Sequence, residues 1–133
     1  MAKRLLDCTA SEIAKMSGKE LAAAIAGSEG RMLVCETIGA VPPMLGDVTN
    51  AEFAAAMGAD MLILNLFDVN HPVTNGLPET APENIIREVK RLTGRAAGSK
   101  LEPLEEGTGR TDDTMSRSKR SRGGPASTEK AEG

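Results

Sequence analysis

Met32-Leu33-Val34-Cys35 ends at Glu36, and Met61-Leu62-Ile63-Leu64 ends at Asn65, with Asp68 three residues on. Each apolar run follows a helical stretch and stops at polar residues. A third pass, Arg95-Ala96-Ala97-Gly98-Ser99-Lys100-Leu101, ends at Glu102-Pro103. It lacks the Val, Ile and Leu that a parallel strand buried on both faces carries. Repeated βα units build parallel sheets, and such sheets keep their chemistry at the carboxyl ends of the strands. The expected fold is therefore α/β, with about three parallel strands over residues 31–36, 61–66 and 95–101.

The segments between the strands carry helix punctuation. Thr9-Ala10-Ser11-Glu12, Ser17-Gly18-Lys19-Glu20 and Thr49-Asn50-Ala51-Glu52 each fit a capping box, in which hydroxyl and carboxylate satisfy free amides of the first turn. The first box starts a helix with Ile13 and Met16 on one face. The second starts one over 21–26, striped by Leu21, Ala24 and Ile25 and stopped by Gly27 and Gly30. The third runs through Met57 to Gly58. Residues 83–93 align Ile85, Ile86, Val89 and Leu92, and Gly94 stands at the expected C′ position.

The connections that leave strands are long, 37–47 and 67–82, and rich in proline and glycine, with Asn75-Gly76 as a turn signal. Those entering strands are short. One functional rim on a βα scaffold produces that asymmetry.

Glu36, Asn65, Asp68 and Glu102 fall at or just past the three strand ends. If the strands pair in order, these side chains converge on one rim and offer oxygens for acid/base work or for binding a metal; singly, acids at strand ends are solvated turn residues. They are the candidate catalytic residues. Asp47 precedes a helix, where an acid complements the dipole, and the lone His71 sits in a loop between Asn70 and Pro72. Cys35 lies within an apolar run, as a buried inert thiol does, and Cys8 has no basic neighbour to activate it.

Composition excludes several classes. The two cysteines make neither a disulfide framework nor a zinc spacing, which points to a reducing cytoplasmic setting. No apolar leader or membrane span is expected from the sequence. Residues 1–104 carry 10 Lys/Arg against 13 Asp/Glu, so no basic face for nucleic acid is expected there. Phe53 and Phe67 are the only aromatic residues, too few for a base-stacking platform. No Walker loop or Gly-x-Gly-x-x-Gly motif is present, and the sequence leaves the cofactor unknown.

Leu5-Leu6-Asp7-Cys8-Thr9 invites comparison with the haloacid-dehalogenase phosphatase motif, Asp-x-Asp-x-Thr/Val after an apolar strand. Thr9 stands where the second Asp belongs, and the match fails. Several longer runs carry a broader resemblance: Arg4 through Thr9, Ser28-Glu29-Gly30-Arg31, Pro43 through Glu52, Gly58-Ala59-Asp60 through Asp68, and Leu101-Glu102-Pro103. Over residues 3–104 the chain resembles the N-terminal part of an uncharacterised bacterial family with a TIM-barrel-like fold, whose members often carry the label haloacid dehalogenase-like hydrolase. Its full-length members are more than twice this length and carry a later Thr-Gly-Asn-Pro-Gly-type loop suited to phosphate. The resemblance transfers no catalytic residue.

Residues 1–104 are thus expected to be the N-terminal portion of a TIM-barrel-like domain, a closed barrel needing ~250 residues. An isolated three-stranded sheet leaves two open edges, which a homo-oligomer would cover. Residues 105–133 read as a disordered or frameshifted tail. Read one nucleotide later, residues 119–125 permit Ser-Glu-Ala-Gly-Ala-Asp-Leu, another strand entry like Gly58-Ala59-Asp60. The expectation is an inactive fragment whose parent is a small-molecule enzyme, with phosphorylated metabolites as one ligand class. One alternative is a small binding or regulatory module using the basic run 117–122 on a partner. Another is a hydrolase with Asp7 as nucleophile.

Overall fold

Three capping boxes open the first three helices of the chain. In the structure, a computed structural model that describes residues 1–100, Thr9 caps α1 (Ala10–Lys15), Ser17 caps α2 (Gly18–Gly27) and Thr49 caps α3 (Asn50–Ala56). In each, the hydroxyl accepts from the amide of the third helical residue and that residue's glutamate accepts from the cap amide. α4 (Ile85–Thr93) follows a 3-10 turn at Pro82–Asn84 and ends at Gly94, whose φ of 64° lets its N–H reach Lys90 O at 2.9 Å.

The strands are β1 (Val34–Ile38), β2 (Met61–Asn65) and β3 (Ala96–Ser99), all parallel and ordered β1-β2-β3. The α/β sheet expected from the sequence is present, with β1 displaced toward the C-terminus of its expected span. Asp60 causes the shift. Its carboxylate accepts from Leu33 N at 2.8 Å, and its own N–H donates to Leu33 O at 2.8 Å. Leu33 is therefore held just outside the ladder, and pairing begins at Val34↔Met61 and ends at Ile38↔Asn65. β3 forms despite its weak strand residues. Ala96 and Ala97 are both buried, and Ala97 packs in one cluster with Val89 of α4. Small side chains let that helix settle close to the strand.

Register assigns the faces. Cys35, Leu62 and Ala97 lie side by side and meet Ala51 of α3 and Val89 of α4, so both crossover helices cover one face. Leu62 and Leu64 are 0% exposed there. The second face carries Val34, Glu36 and Ile38 on β1, Met61, Ile63 and Asn65 on β2, and Ala96 and Gly98 on β3. Of these only Ala96 is buried, and Val34 is 48% exposed. At the N-terminus, a 3-10 turn at Leu5–Asp7 packs on α2: buried Leu5 donates its N–H to Ser28 Oγ at 3.1 Å, and Ser28 Oγ donates to Ala24 O at 3.0 Å.

Leu101, Glu102, the tail from 105 with its basic run 117–122, and the shifted-frame stretch lie outside the described residues.

Two measurements test this arrangement. Leu62→Ala should lose about 2–5 kcal/mol in denaturant unfolding, as core truncations do, whereas Val34→Ala on the open face should lose under ~1 kcal/mol. Similar losses would contradict the one-sided core. At the N-terminus, Lys3 Nζ lies 2.9 Å from both Glu12 oxygens, and with the Thr9 amide it lowers the Glu12 carboxyl to about 2 from 4.5. A depressed folded-state value stabilises the protein above the ordinary value, and the benefit is lost as pH falls toward the folded one. Melting temperature should therefore drop less between pH ~5 and ~2 in Glu12→Gln than in the parent, with the difference shrinking in high salt.

Candidate functional site

Glu36 and Asn65 share the open face of the sheet, Glu36 beside Ile63 and Asn65 one pleat repeat further toward the carboxyl ends. Glu36 is exposed and Asn65 half-buried. Asn65 is already engaged: its Oδ1 accepts from Leu66 N at 2.9 Å, and Leu66 takes a left-handed φ of 53°. A leucine there is strained, and the Asn65 carbonyl steadies the turn that ends β2. Its amide nitrogen remains the group able to meet a ligand.

Asp68 stands apart from this pair, exposed in the loop that follows β2. Its Oδ1 accepts from Asn70 N at 2.8 Å, and its Oδ2 lies 3.5 Å from His71 Nδ1. The Asn70 amide is the main reason its carboxyl titrates below the usual range. The His71 side chain is 87% exposed. Glu102, the fourth candidate, lies outside the described residues. The structure thus brings two of the four candidates to one face and leaves Asp68 on the rim beyond them.

The long loops do more than hang from the strand ends. Asn75 N donates to Gly39 O at 2.8 Å, and Asn75 Nδ2 donates to Ala40 O at 2.9 Å, joining the loop after β2 to the loop after β1. The contact is close enough that a Cβ on Gly39 would collide with Val73 O. Gly76, at φ 89°, lies against Pro43, whose Cγ would sit 2.9 Å from an added Cβ. Asn50 secures the first loop from the helix side, its Oδ1 accepting from Met44 N at 2.9 Å. Beneath the junction is a cavity of about 10 Å³ lined by Thr37, Asn50, Thr74 and Asn75 among others, where Thr74 Oγ1 is buried without a partner among the described residues. The sequence signals for this clasp were Asn75-Gly76 and Asn50, and neither announces a partner so distant in the chain.

A second recess is larger. Phe67, Val69, Pro72, Pro82 and Ile86 wall an open groove of about 390 Å³ beside the start of α4, with Asn70 and Glu83 as its polar groups. That volume lies within the range of small-molecule sites. Asp68 lies between two of the wall residues but is not itself part of the lining.

The remaining candidates have structural partners. Asp7 sits in a 3-10 turn rather than at a strand end, and Arg4 grips it through Nε at 2.7 Å and Nη2 at 2.9 Å, which lowers its carboxyl. Cys35 is half-buried against the core, and Cys8 is half-buried with its thiol 3.2 Å from Arg4 O. Asp47 is exposed. Among the described residues, no three His, Cys, Asp or Glu come together as a metal site, and no helix is long and apolar enough to cross a membrane.

Thr49 anchors the helix end of the first loop. It is 1% exposed, and its hydroxyl donates to Glu52 Oε2 at 2.8 Å while accepting from Glu52 N at 3.0 Å. Thr49→Ala should lower unfolding free energy by about 1–2 kcal/mol and speed hydrogen exchange in loop 39–49, read by mass spectrometry.

Residues 6–133 match the family model described as a domain of unknown function (DUF7916), and the chain belongs to that family. The match takes in residues 105–133 as well as the α/β unit. No curated protein and no solved structure matches the chain.

Proposed function

For this member of the DUF7916 family we propose that residues 1–104 form the N-terminal part of a TIM-barrel-like domain and that the complete domain is a cytoplasmic small-molecule enzyme. Its site would lie on the carboxyl-end rim, with phosphorylated metabolites as the first ligand class to test. The chain alone is inactive in this reading. The observation that carries it is topological: strand order follows chain order, while α3 and α4 both pack on the Leu62 face. A doubly wound sheet places helices on both faces and reverses strand order at its switch point. A barrel keeps its helices outside and fills the other face with inward side chains. Met61, Ile63, Glu36 and Asn65 occupy that other face here.

Glu36 would serve as an acid/base or hydrogen-bonding oxygen, and the Asn65 amide as a donor to a ligand oxygen. Asp68, with its charge held by the Asn70 amide, would act from the rim.

A second reading, a binding module completed by another copy of itself, is favoured by the exposed apolar residues Leu33 (59%) and Val34. A sharp, concentration-dependent melt with a defined dimer in sedimentation would support it.

Thermal-shift screening of the full chain against a panel of phosphorylated sugars and acids tests the first reading. A ligand at 100 times its Kd should stabilise by about 2.7 kcal/mol, and Glu36→Gln or Asn65→Ala should weaken it by at least ~10-fold, or about 1.4 kcal/mol. If no panel member shifts the melt, or if both variants bind normally, the rim assignment fails.

A further inference from the structure

Of the five asparagines in the chain, only Asn75 precedes a glycine. An Asn-Gly pair is chemically labile because glycine has no side chain to shield its amide nitrogen from the neighbouring side-chain carbonyl. Asn75 is also the residue that clasps the two strand-end loops, through its N–H on Gly39 O and its Nδ2 on Ala40 O. We propose that Asn75–Gly76 is a deamidation site gated by this clasp, and that its conversion releases the two rim loops from one another irreversibly.

The reaction needs only water. Gly76 N attacks Asn75 Cγ and forms a five-membered imide. The C–Nδ2 bond breaks, and Nδ2 departs as ammonia with the proton lost from Gly76 N. Water then opens the imide at either carbonyl, leaving aspartate or isoaspartate at position 75.

The clasp slows the first step. While Nδ2 donates to Ala40 O and the backbone N–H to Gly39 O, the side chain is held at both ends of the residue. Gly76, at φ 89° against Pro43, has little freedom to swing its nitrogen toward Cγ. Attack therefore requires the loops to part first, and the rate reports their local opening. The product cannot restore the side-chain half of the clasp. A carboxylate has no N–H for Ala40 O and sets a negative oxygen against that carbonyl instead. An isoaspartate also lengthens the backbone within a turn that already approaches Pro43 and Thr49 closely.

Peptide mapping that separates Asn, Asp and isoAsp tests the proposal on the full chain, incubated at mildly alkaline pH in native buffer and in urea. Asn50, Asn65, Asn70 and Asn84 serve as internal controls. Position 75 should convert in urea, and at least ~10-fold more slowly in native buffer, equivalent to a clasp open less than a tenth of the time. Equal rates in the two conditions, or no conversion at 75 in urea, would overturn the gating. Hydrogen exchange on Asn75→Asp tests the consequence. Residues 72–77 should exchange at least ~10-fold faster while 61–65 keep their protection, which shows that the sheet remains folded. Unchanged exchange in 72–77 would overturn the release.

Discussion

Everything in this unit depends on burying Leu62 and Leu64. β2 is the central strand, its two leucines are fully enclosed, and Ala51 of α3 and Val89 of α4 pack with Leu62 in one buried cluster. The residues around Leu62 are mostly small: Ala51 and Ala59 pack with it in one cluster, and Ala97 lies beside it in the sheet. With hardly any aromatic volume available, close approach of helix to sheet replaces bulk as the source of dispersion and apolar burial. This explains how so weak a strand as β3 is retained. Its alanines are the right size for α4, whatever their intrinsic preference for extended backbone.

The same one-sidedness distinguishes the two halves of the sheet chemically. Alternate residues of β2 face the core and the opposite side, where Met61, Ile63 and Asn65 are half-buried. Glu36 and Asn65 are the polar side chains on that side of the sheet.

Local signals were legible and long-range ones were not. Thr9, Ser17 and Thr49 announce their helices because a capping box is complete within four residues, and Gly94 announces a stop for the same reason. Met61 through Leu64 announce β2 because the central strand of the sheet is apolar on both faces. β1 starts later than its apolar run suggests because its start depends on Asp60, 27 residues away from the Leu33 amide that it holds. The rim was legible as two long loops, and Glu36 and Asn65 as strand-end polar groups on one side. That Asn65 also props the left-handed Leu66, and that Asn75 reaches back to Gly39 and Ala40, depends on three-dimensional partners with no local trace.

Strand order that follows chain order has a further consequence, for biosynthesis. Each new strand joins the edge exposed by the one before it: β2 meets β1, and β3 meets β2. Among the described residues, no strand waits for a later one to be inserted between itself and its neighbour. The direction in which the ribosome delivers this chain is therefore the direction in which the sheet widens, and a nascent unit can accrete one βα step at a time as it emerges. Until β3 emerges, the free edge of β2 is what the surrounding cell encounters first.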